Sequence, residues 1–165
     1  GLLDDSIVNR ILLTNNGIDG KEFAMLLSGL EHLHDFKSII YKQNGFTTES
    51  MNSLCTFFTR KVPYHLEELK LIDLKLSPKC CEQLFSKLNE ESYIKRLSLI
   101  NVNQNDRQFD ALLKYISSSK YLRELELNWL EVRQSTYSKL TDCLAENKQL
   151  THLSLSWNYI LELKQ

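Results

Sequence analysis

The chain has 165 residues, 42% of them apolar, with 20 Lys and Arg set against 21 Asp and Glu and a pI near 6.5. Those values fit one domain with an ordinary core and argue against nucleic acid as the main partner, which would require a basic surface. No stretch approaches the ~20 apolar residues of a membrane-spanning helix, and the opening Gly1-Leu2-Leu3-Asp4 lacks the build of a signal peptide. No membrane partner is expected.

The first predicted strand carries Val8, Ile11 and Leu13 in the pattern apolar-x-x-apolar-x-apolar, and a turn with Asn16 and Ile18 follows it. Phe23, Leu26 and Leu30 then recur at helical spacing, with Lys21 and Glu22 off that stripe for solvent. Asn15-Asn16-Gly17-Ile18-Asp19-Gly20 has the look of a calcium-loop opening. It fails because Gly17 offers no side-chain oxygen and Leu26 stands where the closing carboxylate belongs. Asp19 is instead expected to cap the helix.

The second unit repeats the pattern with Phe36, Ile39 and Tyr41, the turn pair Asn44 and Phe46, and the helix stripe Met51, Leu54 and Phe58. Its return, Arg60 to His65, is two residues longer than the others and contains Pro63, which should end the helix. A length variant on the outer rim accounts for it better than a dedicated binding loop. The third unit has Leu66, Leu69 and Leu71, then Leu74 and Leu76, then Cys81, Leu84 and Leu88. The fourth has Ile94, Leu97 and Leu99, then Val102 and Gln104, then Phe109, Leu112 and Ile116. The fifth has Leu122, Leu125 and Leu127, then Leu130 and Val132, then Tyr137, Leu140 and Leu144. The sixth, Leu150, Leu153 and Leu155 with Asn158 and Ile160, has no helix after it.

The six units therefore start near residues 8, 36, 66, 94, 122 and 150, a period of 28 with one step of 30. A fixed period of this length means one supersecondary unit stacked on copies of itself. Leu122-x-x-Leu125-x-Leu127-x-x-Leu130-x-Val132 and Leu150-x-x-Leu153-x-Leu155-x-x-Asn158-x-Ile160 resemble leucine-rich repeats, and the 28-residue period with a true helix resembles the ribonuclease-inhibitor subfamily. The resemblance covers essentially the whole chain. It implies an α/β leucine-rich-repeat solenoid, a right-handed horseshoe with a parallel β-sheet on its concave face and α-helices on its convex face. It also implies a protein-binding role.

Leu74, Val102 and Leu130 depart from the family at the asparagine column, where the amide normally bonds backbone groups of the turn. Losing such a group costs on the order of 1 to 3 kcal/mol if its partners are stranded, so these turns are expected to rearrange or admit water. Neither end looks capped, and the last unit stops after its turn. A segment of a longer protein is expected, with repeats or a cap beyond at least the C-terminal side.

Cys55, Cys80, Cys81 and Cys143 all fall in helical halves without zinc-site spacing, and read as small buried hydrophobes. With no Asn-x-Ser/Thr sequon they favour a reducing, cytoplasmic setting over secretion. Adjacent Cys80 and Cys81 should point to different sides of their helix. His32, His34, His65 and His152 are scattered over different units, and no phosphate-binding loop is present. No catalytic residue, metal or cofactor is expected.

On the strands, residues between and just after the buried positions should face the concave side. They form the rows Arg10, Ser38, Glu68, Arg96, Glu124, His152; Leu12, Ile40, Lys70, Ser98, Glu126, Ser154; and Thr14, Lys42, Ile72, Ile100, Asn128, Ser156. The next row, Asn15, Gln43, Asp73, Asn101, Trp129, Trp157, sets the only two tryptophans at equivalent positions of adjacent units. Strands ~4.8 Å apart would make them an aromatic pair beside Asn128 and Tyr159. Ile72 and Ile100 offer a second apolar pair, and Lys70 and Glu126 supply charge. The tryptophans read either as an interface hot spot or as covers for the turn where leucine replaces asparagine.

The expected function is that of a protein-interaction scaffold without chemistry of its own. Three alternatives stand beside it: a repeat domain resembling that of Ran GTPase-activating proteins, a regulatory sensor segment of a multidomain protein, and a structural subunit or effector in a larger assembly.

Overall fold

A computed structural model describes residues 8–30, 33, 35–58, 66–102, 106–130, 132–158, 160 and 161. Strands and helices alternate along the chain: β1 (Arg10–Thr14), α1 (Gly20–Leu30), β2 (Ser38–Lys42), α2 (Thr48–Phe58), β3 (Glu68–Leu74), α3 (Pro78–Glu91) and β4 (Arg96–Val102). There follow α4 (Asp106–Ser118), β5 (Glu124–Asn128), β6 (Val132–Arg133), α5 (Gln134–Glu146), β7 (His152–Ser154) and β8 (Ile160–Leu161). The order β1-β2-β3-β4-β5-β7 makes one six-stranded parallel sheet, and β6 pairs with β8 beside it. The fold is thus α/β, with five helices alternating with the strands of the main sheet.

Register follows the repeat. Ile11, Ile39, Leu69, Leu97, Leu125 and Leu153 are successive partners across the sheet, as are Glu68, Arg96, Glu124 and His152 on its other face. Ile39, Leu69, Leu97 and Leu99 are wholly buried, because the two-residue period sends alternate side chains against the helices. Each helix packs on the next in chain order. Leu54, Leu84, Leu112 and Leu140 are buried at the column expected to be apolar throughout. Leu26, in the first unit, is only partly buried, and Leu27 beside it takes the core position.

Local signals fix the helix starts. Asp19 Oδ1 accepts the N–H groups of Lys21 at 2.8 Å and Glu22 at 2.9 Å, while Glu22 Oε2 accepts the Asp19 N–H at 2.9 Å. That is a capping box, and it engages the side chains the calcium-loop resemblance would have needed. Ser77 caps α3 by accepting the Cys80 N–H at 3.2 Å, with Pro78 in the first turn where a missing N–H costs nothing.

Cys55, Cys80 and Cys81 are buried and Cys143 is half-buried, all as free thiols. Cys80 and Cys81 sit ~100° apart around α3, yet both are buried because α3 has a helix on each side. At the last strand the core column opens. Leu153 is 42% exposed where Leu125 is 1%, since β7 has one neighbouring strand among the described residues.

At Leu74 and Val102 the expectation that turns lacking asparagine would rearrange is corrected. Asn44 Nδ2 donates to the carbonyls of Leu13 at 3.1 Å and Lys42 at 3.0 Å, and its Oδ1 accepts the Asn16 N–H at 2.8 Å. Asn158 repeats this, donating to Leu127 and Leu155 and accepting the Leu130 N–H at 2.7 Å. Where Leu74 and Val102 stand instead, the strands run on: β3 and β4 have seven residues each, and Leu74 pairs directly with Val102. Backbone pairing replaces the amide, Leu74 and Val102 are buried, and the turn keeps its shape.

Candidate functional site

At or near the end of every strand of the main sheet one residue has the same unusual conformation. Asn15, Gln43, Asp73, Asn101, Trp129 and Trp157 all have positive φ, between 48° and 60°, in the left-handed region. The row predicted to lie just past the strands is therefore also a row of left-handed turns. Asn and Asp tolerate this conformation; tryptophan does not favour it, and a bulky residue there is a genuine outlier.

The side chains of the row form two groups. Asp73 accepts hydrogen bonds from Gln43 Nε2 at 3.1 Å and Asn101 Nδ2 at 2.8 Å. Beyond Asn101, the indoles of Trp129 and Trp157 stack, with centroids 5.1 Å apart and planes 11° from parallel. Trp129 is 50% exposed and Trp157 is 66% exposed. Leu130, immediately after Trp129, is buried.

The other predicted site residues lie on the sheet face away from the core. Ile72 and Ile100 are direct partners on β3 and β4, both half-buried. Lys70 Nζ and Glu126 Oε2 form an ion pair at 3.5 Å, and Glu126 also accepts the Ser98 hydroxyl. Asn128 turns its Oδ1 to the Ser154 hydroxyl at 2.8 Å and the Ser156 N–H at 2.9 Å, tying the last two strands together beside the tryptophans. Tyr159 lies outside the described residues, as do His32, His34, the 59–65 return and Gln104.

A polar cluster on the same face was not singled out from the sequence. Glu68, 4% exposed, accepts Arg10 Nη2 at 3.1 Å, Arg96 Nε at 3.2 Å and the Ser38 hydroxyl. Burial pushes its carboxyl up, but the Ser38 and Arg96 hydrogen bonds with the charges of Arg96 and Arg10 outweigh it and hold the group below the usual carboxylate range. Alternation of Arg10, Ser38, Glu68 and Arg96 along one row was the available signal. At the opposite strand ends, Tyr93 and Tyr121 form a second exposed pair, centroids 4.8 Å apart. Among the described residues, no three His, Cys, Asp or Glu side chains gather as metal ligands, and no helix is long and apolar enough to cross a membrane.

The class defined by this architecture is an α/β protein whose parallel sheet carries a repeated left-handed turn and an exposed aromatic edge. No protein-family model matches the chain. Comparison with curated proteins gives no match either.

Proposed function

We propose that the chain is a leucine-rich-repeat domain of the ribonuclease-inhibitor-like kind, a solenoid whose concave sheet and edge bind another protein, with no chemistry of its own. The 28-residue register of the sheet, with its one step of 30 between β2 and β3, supports the architecture. The observation that carries the function is the stacked pair Trp129 and Trp157, left exposed in a backbone conformation that disfavours them. Left-handed backbone costs a non-glycine residue roughly 1 to 2 kcal/mol. Strain of this kind, kept for side chains that stay half or more exposed, is a mark of a functional position. Exposed tryptophans are also where interface energy concentrates.

Asn128, Ile72, Ile100, Lys70 and Glu126 would complete the contact surface, with Tyr159 alongside. The four free thiols fit a reducing, cytoplasmic setting. The experiment is quantitative capture of partners by the natural chain and by the double variant Trp129→Asn, Trp157→Asn, with folding checked by circular dichroism. Partners held by the natural chain and lost by a folded variant are the expected result. An identical partner set on both would overturn the reading.

A further inference from the structure

We propose that the ledge formed by Trp129, Asn101 and Asp73 is an arginine slot, which takes one arginine side chain of the partner protein. This rests on the reading of the tryptophan edge as the binding surface, and it names the chemistry that surface selects.

One face of the Trp129 indole is covered by Trp157, in near-parallel contact. Positions along the row are one strand spacing apart, ~4.8 Å, so the other face looks along the row toward Asn101 and then Asp73. Both of those side chains end two bonds beyond Cβ, far short of an indole. The outer part of the Trp129 face therefore stands above them as a wall, consistent with its 50% exposure.

The floor of the ledge ends in a charge already held in place. Asp73 is fixed by Gln43 and Asn101, both neutral amides, and among the described residues no cation lies within ion-pair distance of its carboxylate. The row contains no Lys or Arg. A π face and an oriented, uncompensated carboxylate, about 10 Å apart as two strand spacings, make a cation site with no resident cation.

A guanidinium fits it better than an ammonium. It is planar and stacks flat on an indole within ~6 Å of the ring centroid, which sets its charge between the Trp129 face and the Asp73 carboxylate. Ammonium is compact and strongly hydrated, and would have to give up more water for the same contact. A phosphate-bearing partner would meet the Asp73 charge unfavourably, which commits the slot to protein.

Because Trp129 and Trp157 are the only tryptophans, fluorescence and the indole N–H signals report on the site directly. The probe is a blocked Gly-Arg-Gly-Arg-Gly peptide, titrated against the natural chain and against Asp73→Asn, with matched lysine and citrulline peptides. Asn removes the charge and accepts the left-handed backbone, and its new Nδ2 is satisfied when Gln43 or Asn101 turns its amide oxygen inward. The arginine peptide should move the Trp129 indole signal, with affinity at least five-fold weaker for the lysine peptide and for Asp73→Asn, and with no saturable binding of citrulline. Equal binding of arginine and lysine, or no loss in Asp73→Asn, would overturn the slot. Partner capture separates the two levels. If Trp129→Asn, Trp157→Asn abolishes capture while Asp73→Asn leaves it intact, the slot fails and the edge stands; if neither variant alters capture, both fail.

Discussion

Glu68 receives Arg96 Nε at 3.2 Å while itself almost fully buried on the sheet face away from the core. Arg10 approaches the same carboxylate from two strands away and Ser38 from the strand between, so four strands are tied together through one side chain. The carboxyl is held below its usual range, so the folded state binds its proton less readily than the unfolded chain does. Stability from this group is therefore fully present above the unfolded value of about 4.3 and falls away as pH drops through the lower folded value. Urea melts between pH 7 and pH 3 should show that loss, and Glu68→Gln should flatten it. At pH 7 the same variant should lose about 1 to 3 kcal/mol, the cost of weakened charged hydrogen bonds with both arginines still part-solvated. An unchanged pH profile in the variant would remove Glu68 as its source.

Asn44 and Leu74 solve the same backbone problem by different means, and they should not be interchangeable. Asn44→Ala takes a donor from the Leu13 carbonyl and the acceptor from the Asn16 N–H, while the Lys42 carbonyl keeps the Asn15 N–H, and should cost about 1 to 3 kcal/mol. Leu74→Asn gives this unit the amide of Asn44 and Asn158 but removes a buried apolar contact with Val102 where the ladder already pairs the backbone. It should also destabilise, by about 1 to 3 kcal/mol for an amide without partners. Chemical denaturation of the two variants decides it: a stabilising Leu74→Asn would show that the extended strands do not substitute for the amide.

The left-handed row gives a test in which strain and contact oppose each other. Asparagine accepts positive φ, whereas alanine keeps the strain and loses the indole stack. Trp129→Asn should therefore be more stable than Trp129→Ala by about 0.5 to 1 kcal/mol, and Trp157 should behave alike. The double asparagine variant should stay within about 1 kcal/mol of the natural chain, since the stacked pair contributes only about that much beyond its area. Leu127→Ala, wholly within the core, should cost about 2 to 5 kcal/mol by comparison. Denaturation midpoints of the four variants settle the order, and an asparagine variant weaker than its alanine counterpart would contradict the strain argument.

The strand and helix columns were legible because burial repeats with the chain: Ile39, Leu69 and Leu97 occupy one place three times over. The pairing of Trp129 with Trp157 followed from the same arithmetic. What periodicity does not carry is backbone conformation and exposure. Asn15, Asp73 and Asn101 hinted at left-handed turns, but two tryptophans and a glutamine in the row masked the pattern, and only the fold reveals the indoles as uncovered. Extension of β3 and β4 past the missing asparagines depends on two neighbouring units changing together, which a single column does not reveal. Leu26 and Leu153 match the core columns yet lie partly open, because burial also depends on having a neighbour on both sides.

The thiols offer a last test, of packing and not of chemistry. Burial pushes Cys55 up to about 11 and Cys81 up to about 12, so near neutral pH both are held as thiols, and their reactive thiolate fraction is negligible. Cys80 is enclosed beside them on α3. Cys143 is raised by burial and by the charges of Glu146 and Asp142, but it is the one cysteine partly open to solvent. In the native state at pH 8 an aromatic disulfide reagent should label about one thiol per chain, at Cys143, and all four only in urea. Raising the pH toward 9 should speed the Cys143 reaction, since its thiolate gains with pH, while the buried three stay limited by opening of the helix layer. Mass spectrometry of the labelled native chain identifies the site. Prompt modification of Cys55 or Cys81 would mean that α2 and α3 are not packed as described, and with them the layer that supports β3 and the Asp73 turn.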